Sequence, residues 1–195
     1  MLSFFNRKKL ILTVGILLAA YVGWAYVRAG GYLASLPLVM TPTAHAAFLF
    51  FWMAFTASSI HALMPSAYSK WAMRNRRYVG LSFALIHFVH AALVLLNIGF
   101  TEESRPLPVF LAGVGAYILL FLMTITSNNT AVKKLGPKNW KRLHKWSSYV
   151  IWVVFASQIS KPDVFMTVAA TWIPVGAIMA LLLRIGAHQK KKKRA

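Results

Sequence analysis

Leu135-Gly-Pro-Lys-Asn-Trp-Lys-Arg-Leu-His144-Lys-Trp-Ser-Ser-Tyr-Val-Ile-Trp-Val-Val-Phe-Ala-Ser157-Gln158 passes in one step from a cationic, tryptophan-bearing connector into an apolar run. The same alternation recurs along the whole chain. Several of the apolar runs reach about 18 residues or more, the length a helix needs to cross a hydrocarbon layer of about 30 Å. A membrane barrel would instead show segments of about 10 residues with alternating polarity, and none occur. Composition agrees, because 58% hydrophobic and 13% charged residues in a chain of 195 leave more apolar surface than a soluble domain can hide. The predicted fold class is all-α, a polytopic membrane protein built as a six-helix bundle.

Working outward from 135–158, that stretch supplies the fifth span, 146–159, which extends back through Leu143 and takes His144 into its first turn. The others fall at 10–27, 44–64, 78–100, 107–127 and 164–184. The first resembles a signal peptide, but its length and the lack of a small-residue cleavage site predict a retained anchor. If the N-terminus is cytoplasmic, the inner connectors and termini hold 19 of the 22 basic residues, with Arg28, Arg105 and Lys161 outside. All three acids, Glu102, Glu103 and Asp163, also fall outside. This positive-inside bias predicts both termini in the cytoplasm, a cytoplasmic N-terminus over 1–9, a transmembrane domain over 10–185 and a basic cytoplasmic tail over 186–195. The expected location is a bacterial cytoplasmic (inner) membrane.

The net charge of +19 would suggest a nucleic-acid partner in a soluble chain. Topology accounts for it here, so the expected contact is membrane lipid, with the Lys190–Arg194 run resting on anionic headgroups. The Asn128-Asn129-Thr130 sequon faces the cytoplasm and is not expected to carry glycan. With no cysteine, disulfides, thiolate haem ligation and iron–sulfur clusters are excluded. No glycine-rich nucleotide fingerprint is present, so flavin or nicotinamide chemistry would come from another polypeptide.

No Asp or Glu lies within a span, which removes carboxylate relays and carboxylate metal sites. What remains at membrane depth is histidine: His61 near the inner end of span two, His87 and His90 in span three, and His144 at the mouth of span five. His45 and His188 read as structural. Imidazole at that depth suits haem, a metal, a proton path or a hydrogen bond between helices. At about 1.5 Å per residue, His87 and His90 lie roughly 13 and 18 Å from the inner end of span three, and His61 about 5 Å from that of span two. On depth His61 reaches His144, whereas His90 does not. The residue of span five level with His90 is Ser157.

Arg74-Asn-Arg76-Arg77-Tyr-Val-Gly80-Leu with His90 ten residues after the glycine, Ser104-Arg105-Pro106, Thr126-Ser127, and Leu135-Gly136…Trp140-Lys-Arg-Leu143-His144 follow one another in an order that resembles the ferric reductase-like transmembrane domain. The likeness is to the haem-binding membrane subunits of periplasmic methionine sulfoxide reductase systems (the MsrQ type). It implies haem b between spans three and five, with His90 and His144 as ligands of the haem iron; His87 and His61, from their depth in the spans, stand beside them as further cofactor-binding candidates. It also implies electron transport from a cytoplasmic flavoprotein or a quinone to a periplasmic acceptor, as the membrane subunit of an oxidoreductase system. The family's second histidine of span five is here Ser157, and Leu135-Gly136 to His144 is one residue longer, with Pro137 as the insertion. Three readings stand open. Haem is held by altered ligation (His61 with His144, or His87 or His90 with another span); one axial position is open; or the fold is a haem-free scaffold that binds a partner.

Overall fold

The computed structural model describes residues 7–101, 107–157 and 168–193. The connectors carrying Ser104-Arg105-Pro106 and Pro162-Asp163 lie outside the described residues. Seven helices follow in order: α1 (Lys8–Ala29), α2 (Tyr32–Leu63), α3 (Ala67–Thr101), α4 (Leu107–Ile125), α5 (Asn129–Leu135), α6 (Pro137–Ala156) and α7 (Val168–Lys192). No strand occurs among the described residues, so the fold is all-α. By length and composition α1, α2, α3 and most of α7 are able to cross a membrane. The α4–α5 pair forms a further candidate span, broken by a bend of 104°. Helix α6 is not among these candidates, because its first half carries Lys138, Lys141, Arg142 and Lys145.

Helix α2 begins twelve residues before the predicted span and runs through Pro37 and Pro42. Burial outweighs the proline cost here: Leu36 and Val39 pack in one cluster with Ala25 of α1 and Leu93 of α3. Helix α3 likewise starts eleven residues early, at a reciprocal cap. Ser66 Oγ accepts from the Ser69 amide at 3.1 Å and Ser69 Oγ accepts from the Ser66 amide at 2.8 Å. The basic stretch 70–77 is thus the polar face of a helix whose other face buries Trp71, Ala72, Asn75 and Val79. Asn75 is fully buried; its Oδ1 accepts from the Arg7 amide at 2.9 Å and its Nδ2 donates to Trp71 O. It fastens the start of α1 to α3. Asn75→Ala is expected to destabilise the bundle by about 1–3 kcal/mol, since the Arg7 amide loses its acceptor; thermal unfolding in detergent measures it.

The predicted fourth span closes at Asn128, whose side chain accepts from the Ala131 amide at 2.8 Å and caps α5. Gly136, at φ +75°, turns the chain into α6, and Pro137 opens that helix where no N–H is needed. The core joins α2, α3, α6 and α7 through a ring cluster of Phe48, Phe51, Phe55, Phe83 and Phe155. Helix α7 presses on it through Gly176, where an added Cβ would lie 2.9 Å from the Phe48 ring. Gly176→Ala is therefore expected to cost about 1–3 kcal/mol by overpacking, read as a fall in melting temperature.

The tail assigned to 186–195 continues α7 as helix through Lys192. Its Lys190 Nζ donates to Ala62 O at 2.8 Å and Leu63 O at 3.1 Å, capping the carbonyl end of α2. Lys190 thus holds a defined position against the protein.

Candidate functional site

The predicted histidines separate into two levels. On the lower level His144 of α6 stacks on Trp140, one turn before it, with centroids 4.1 Å apart. Trp140 Nε1 donates to Thr126 O at 2.8 Å, and Thr126 Oγ1 lies 3.0 Å from His144 Nε2. That hydroxyl spends its own hydrogen on Leu122 O at 2.6 Å, so it accepts from the imidazole. The assignment puts the proton on Nε2 and the lone pair on Nδ1.

On the upper level His87 and His90 stack nearly parallel, with centroids 5.8 Å apart. Thr43 Oγ1 lies 3.1 Å from His90 Nδ1 and donates to Val39 O, which puts the His90 proton on Nδ1 and leaves the lone pair on Nε2. His87 packs against Tyr117 at 4.8 Å, Phe83 at 5.3 Å and Phe155 at 5.6 Å. Its Nδ1 is buried without a hydrogen-bond partner among the described residues. Ser82 Oγ, on the same helix, is likewise buried without a hydrogen-bond partner among the described residues.

Two helices measure the gap between the levels. Thr126 marks His144 on α4 and Tyr117 marks His87, nine residues away; on α6 the interval from His144 to Phe155 is eleven. At 1.5 Å per residue both give roughly 13–17 Å. His90 and His144 therefore do not converge. His87 and His90 do not converge either, since their rings stack side by side, 10° from parallel. His61 bonds elsewhere: its Nδ1 lies 3.0 Å from Ser69 Oγ, in the first turn of α3. His45 sits edge-on to Trp172 at 5.7 Å. No group of three or more metal-binding side chains occurs among the described residues. Ser157 stands at the end of α6, exposed, with its hydroxyl donating back to Val154 O at 2.8 Å.

Space is available at the lower level. A cavity of about 840 Å³ opens between α3 and the α4–α6 pair, with His144 in its lining. Its apolar wall is formed by Phe51, Phe55, Phe83, Leu120, Met123 and Ile151, and its mouth is basic. At the upper level Tyr117 and Phe155 fill the interval, and a flat macrocycle would have to displace them.

Trp140 and Thr126, which the sequence offers only as parts of short motifs, are the side chains that orient His144. The four-residue step from Trp140 to His144 was the available signal, because such pairs share a helix face. The contact with Thr126 depends on the bend after α4 and has no local signature.

A Protein-methionine-sulfoxide reductase heme-binding subunit MsrQ from Herminiimonas arsenicoxydans is 31% identical over 140 residues, covering 63% of this chain and 60% of the relative. The chain is similar to MsrQ. A second MsrQ, from Ralstonia nicotianae, is 30% identical over 81 residues, 38% of this chain and 37% of the relative. The Magnetosome protein MamZ of Magnetospirillum gryphiswaldense is 40% identical over 85 residues, 40% of this chain and 13% of MamZ. The chain thus spans at most about three fifths of the length of these MsrQ and MamZ relatives. No family model matches, and no solved structure matches significantly.

Proposed function

We propose that the chain is a membrane haem-binding electron-transfer subunit of the ferric reductase-like, MsrQ kind. The observation that carries this reading is the cavity between α3 and α6 with His144 in its wall. An apolar interior, one imidazole and a cationic mouth fit a haem, whose ring is apolar and whose carboxylates are anionic. His144 would hold the iron, Phe51, Phe83 and Ile151 would exclude water, and Arg76 and Arg77 would face the carboxylates. A bound haem would supply one-electron redox chemistry. Trp140 and Thr126 hold the imidazole in one rotamer and one tautomer. For Nε2 to ligate, Thr126 must release it; ligation through Nδ1 keeps that bond.

In this reading His90 does not hold the haem, and Ser157 does not replace the family's histidine. The six-span arrangement with both termini cytoplasmic goes with it, α4–α5 counting as one span and α6 as another whose basic start stays at the surface. The donor would be a cytoplasmic flavoprotein or a quinone, and the acceptor would lie on the periplasmic side. Purification after haem-replete expression, with haem quantitation and a reduced-minus-oxidised spectrum, tests the proposal. The expected result is a Soret band and close to one haem per chain. A purified, folded chain without that band would overturn it and favour the haem-free scaffold, the reading motivated by Ser157.

A further inference from the structure

The same cavity has a second chemical character that ligation by His144 does not use. Cations reach it from four segments: Arg7 ahead of α1, Arg74, Arg76 and Arg77 of α3, Lys141 and Lys145 of α6, and Arg184 of α7. No Asp or Glu is among the described lining residues. The chain has only three, and they follow the opposite ends of α3 and α6 in sequence, at Glu102, Glu103 and Asp163. Like charges about 4 Å apart repel by about 1 kcal/mol in water and about 4 kcal/mol near a protein surface, so convergence without a counter-charge is costly.

A preference for basic inner connectors accounts for the number of these cations but not for their fixed placement. Arg184 donates through Nε to Tyr149 Oη at 3.0 Å and through Nη1 to Phe55 O at 2.9 Å, and it lies over the Phe55 ring at 4.2 Å. Arg76 Nε donates to Ala54 O at 2.9 Å, and Arg77 Nη1 donates to Asn129 Oδ1 at 2.8 Å. These bonds take one or two of the five N–H donors that a guanidinium carries. The three forks are thus held in place before any ligand arrives.

We infer that this end of the cavity is a binding site for a phosphate group. Arg76, Arg77 and Arg184 serve as forked donors, and Lys141 and Lys145 act as point charges. A phosphate offers oxygens in several directions, which suits donors arriving from three helices; a carboxylate offers two oxygens in one plane. Two sources carry this chemistry at a membrane surface: the headgroup of an anionic lipid, and a soluble phosphate ester. The site does not rest on the haem proposal, but it shares Arg76 and Arg77 with it, so haem carboxylates at this mouth would compete with a phosphate.

The test uses the full chain in phosphatidylcholine nanodiscs titrated with inorganic pyrophosphate by calorimetry. A parallel preparation in phosphatidylglycerol-containing nanodiscs is examined by native mass spectrometry for retained lipid. Saturable pyrophosphate binding identifies a soluble ester as the ligand class, and retained phosphatidylglycerol identifies a headgroup; either supports the site. Arg77→Gln is expected to weaken binding about tenfold, and the Arg76→Gln/Arg77→Gln double variant further. Replacing Lys191, Lys192 and Lys193 with Gln should change nothing. If the double variant fails to fold, Arg77→Lys, which keeps the charge and removes the fork, gives the same readout. Absence of binding to both probes overturns the site. So does binding that survives in the arginine variants and disappears in the lysine variant. Soret absorbance in the same samples separates this result from the haem proposal. If the arginine variants lose haem while the wild type ignores both phosphate probes, the anion at this mouth is the haem carboxylate.

Discussion

Expressed with ample haem, the His144→Ala chain is expected to retain about tenfold less haem than the wild type, while His90→Ala retains close to the wild-type amount. The asymmetry follows from the two levels. Of the six histidines only His144 lines the cavity, and His87 is packed against Tyr117 and Phe155. Removing the imidazole leaves an apolar pocket that still attracts a macrocycle but no longer holds its iron. Soret absorbance per chain, with monodisperse elution as the folding control, gives the measurement. Thr126→Val provides a finer readout, since it removes the hydroxyl that accepts from Nε2 while preserving the shape. It should keep haem bound and shift the reduction potential, because the bond to the ligand's other nitrogen tunes its basicity. Loss of haem on His90→Ala with His144→Ala silent would move the seat to the upper level and overturn the assignment.

The second large effect is on stability. Arg184→Ala is expected to destabilise the bundle by about 2–3 kcal/mol, a combination of hydrogen bonds from a charged donor and its stacking on rings, discounted for partial exposure. Arg184 joins three helices: α7 carries it, α2 accepts through Phe55 O, and α6 accepts through Tyr149 Oη. Its guanidinium lies 4.2 Å from the Phe55 ring centre and 4.8 Å from that of Tyr149. Arg184→Lys keeps the charge but has neither the plane nor the fork, so it should recover less than half of the loss. Tryptophan fluorescence on heating in one fixed detergent reads both variants. An Arg184→Ala melting temperature equal to the wild type would show that the residue is an exposed cation with incidental contacts.

Much of this architecture is visible in the residues themselves. Apolar runs place the helices, and the paucity of internal acids directs attention to histidine. Counting residues from the helix ends separates His90 from His144 by about the interval the structure gives. Local signals fail where tertiary burial overrides them. Pro37 and Pro42 argue against helix, yet Leu36 and Val39 gain enough from contact with α1 and α3 to keep α2 continuous. Residues 70–77 look like a connector because their charges are conspicuous, while the buried face at Trp71, Asn75 and Val79 is spaced as a helix. The cavity itself has no sequence signature. Its cations are distributed from Arg7 to Arg184, and only the packing brings them to one place.

The clasp between Lys190 and the end of α2 has a consequence for the making of the protein. Donor and acceptor lie 128 residues apart in the chain, so the last carbonyls of α2 leave the ribosome well before their ammonium partner. At a synthesis rate of about 5–20 residues per second, the interval is roughly 6–25 seconds. During that time those groups must be satisfied by water or headgroups, which keeps this end of α2 at the membrane surface until α7 arrives. Docking of α7 would therefore satisfy carbonyls that α2 has had to leave to solvent or headgroups.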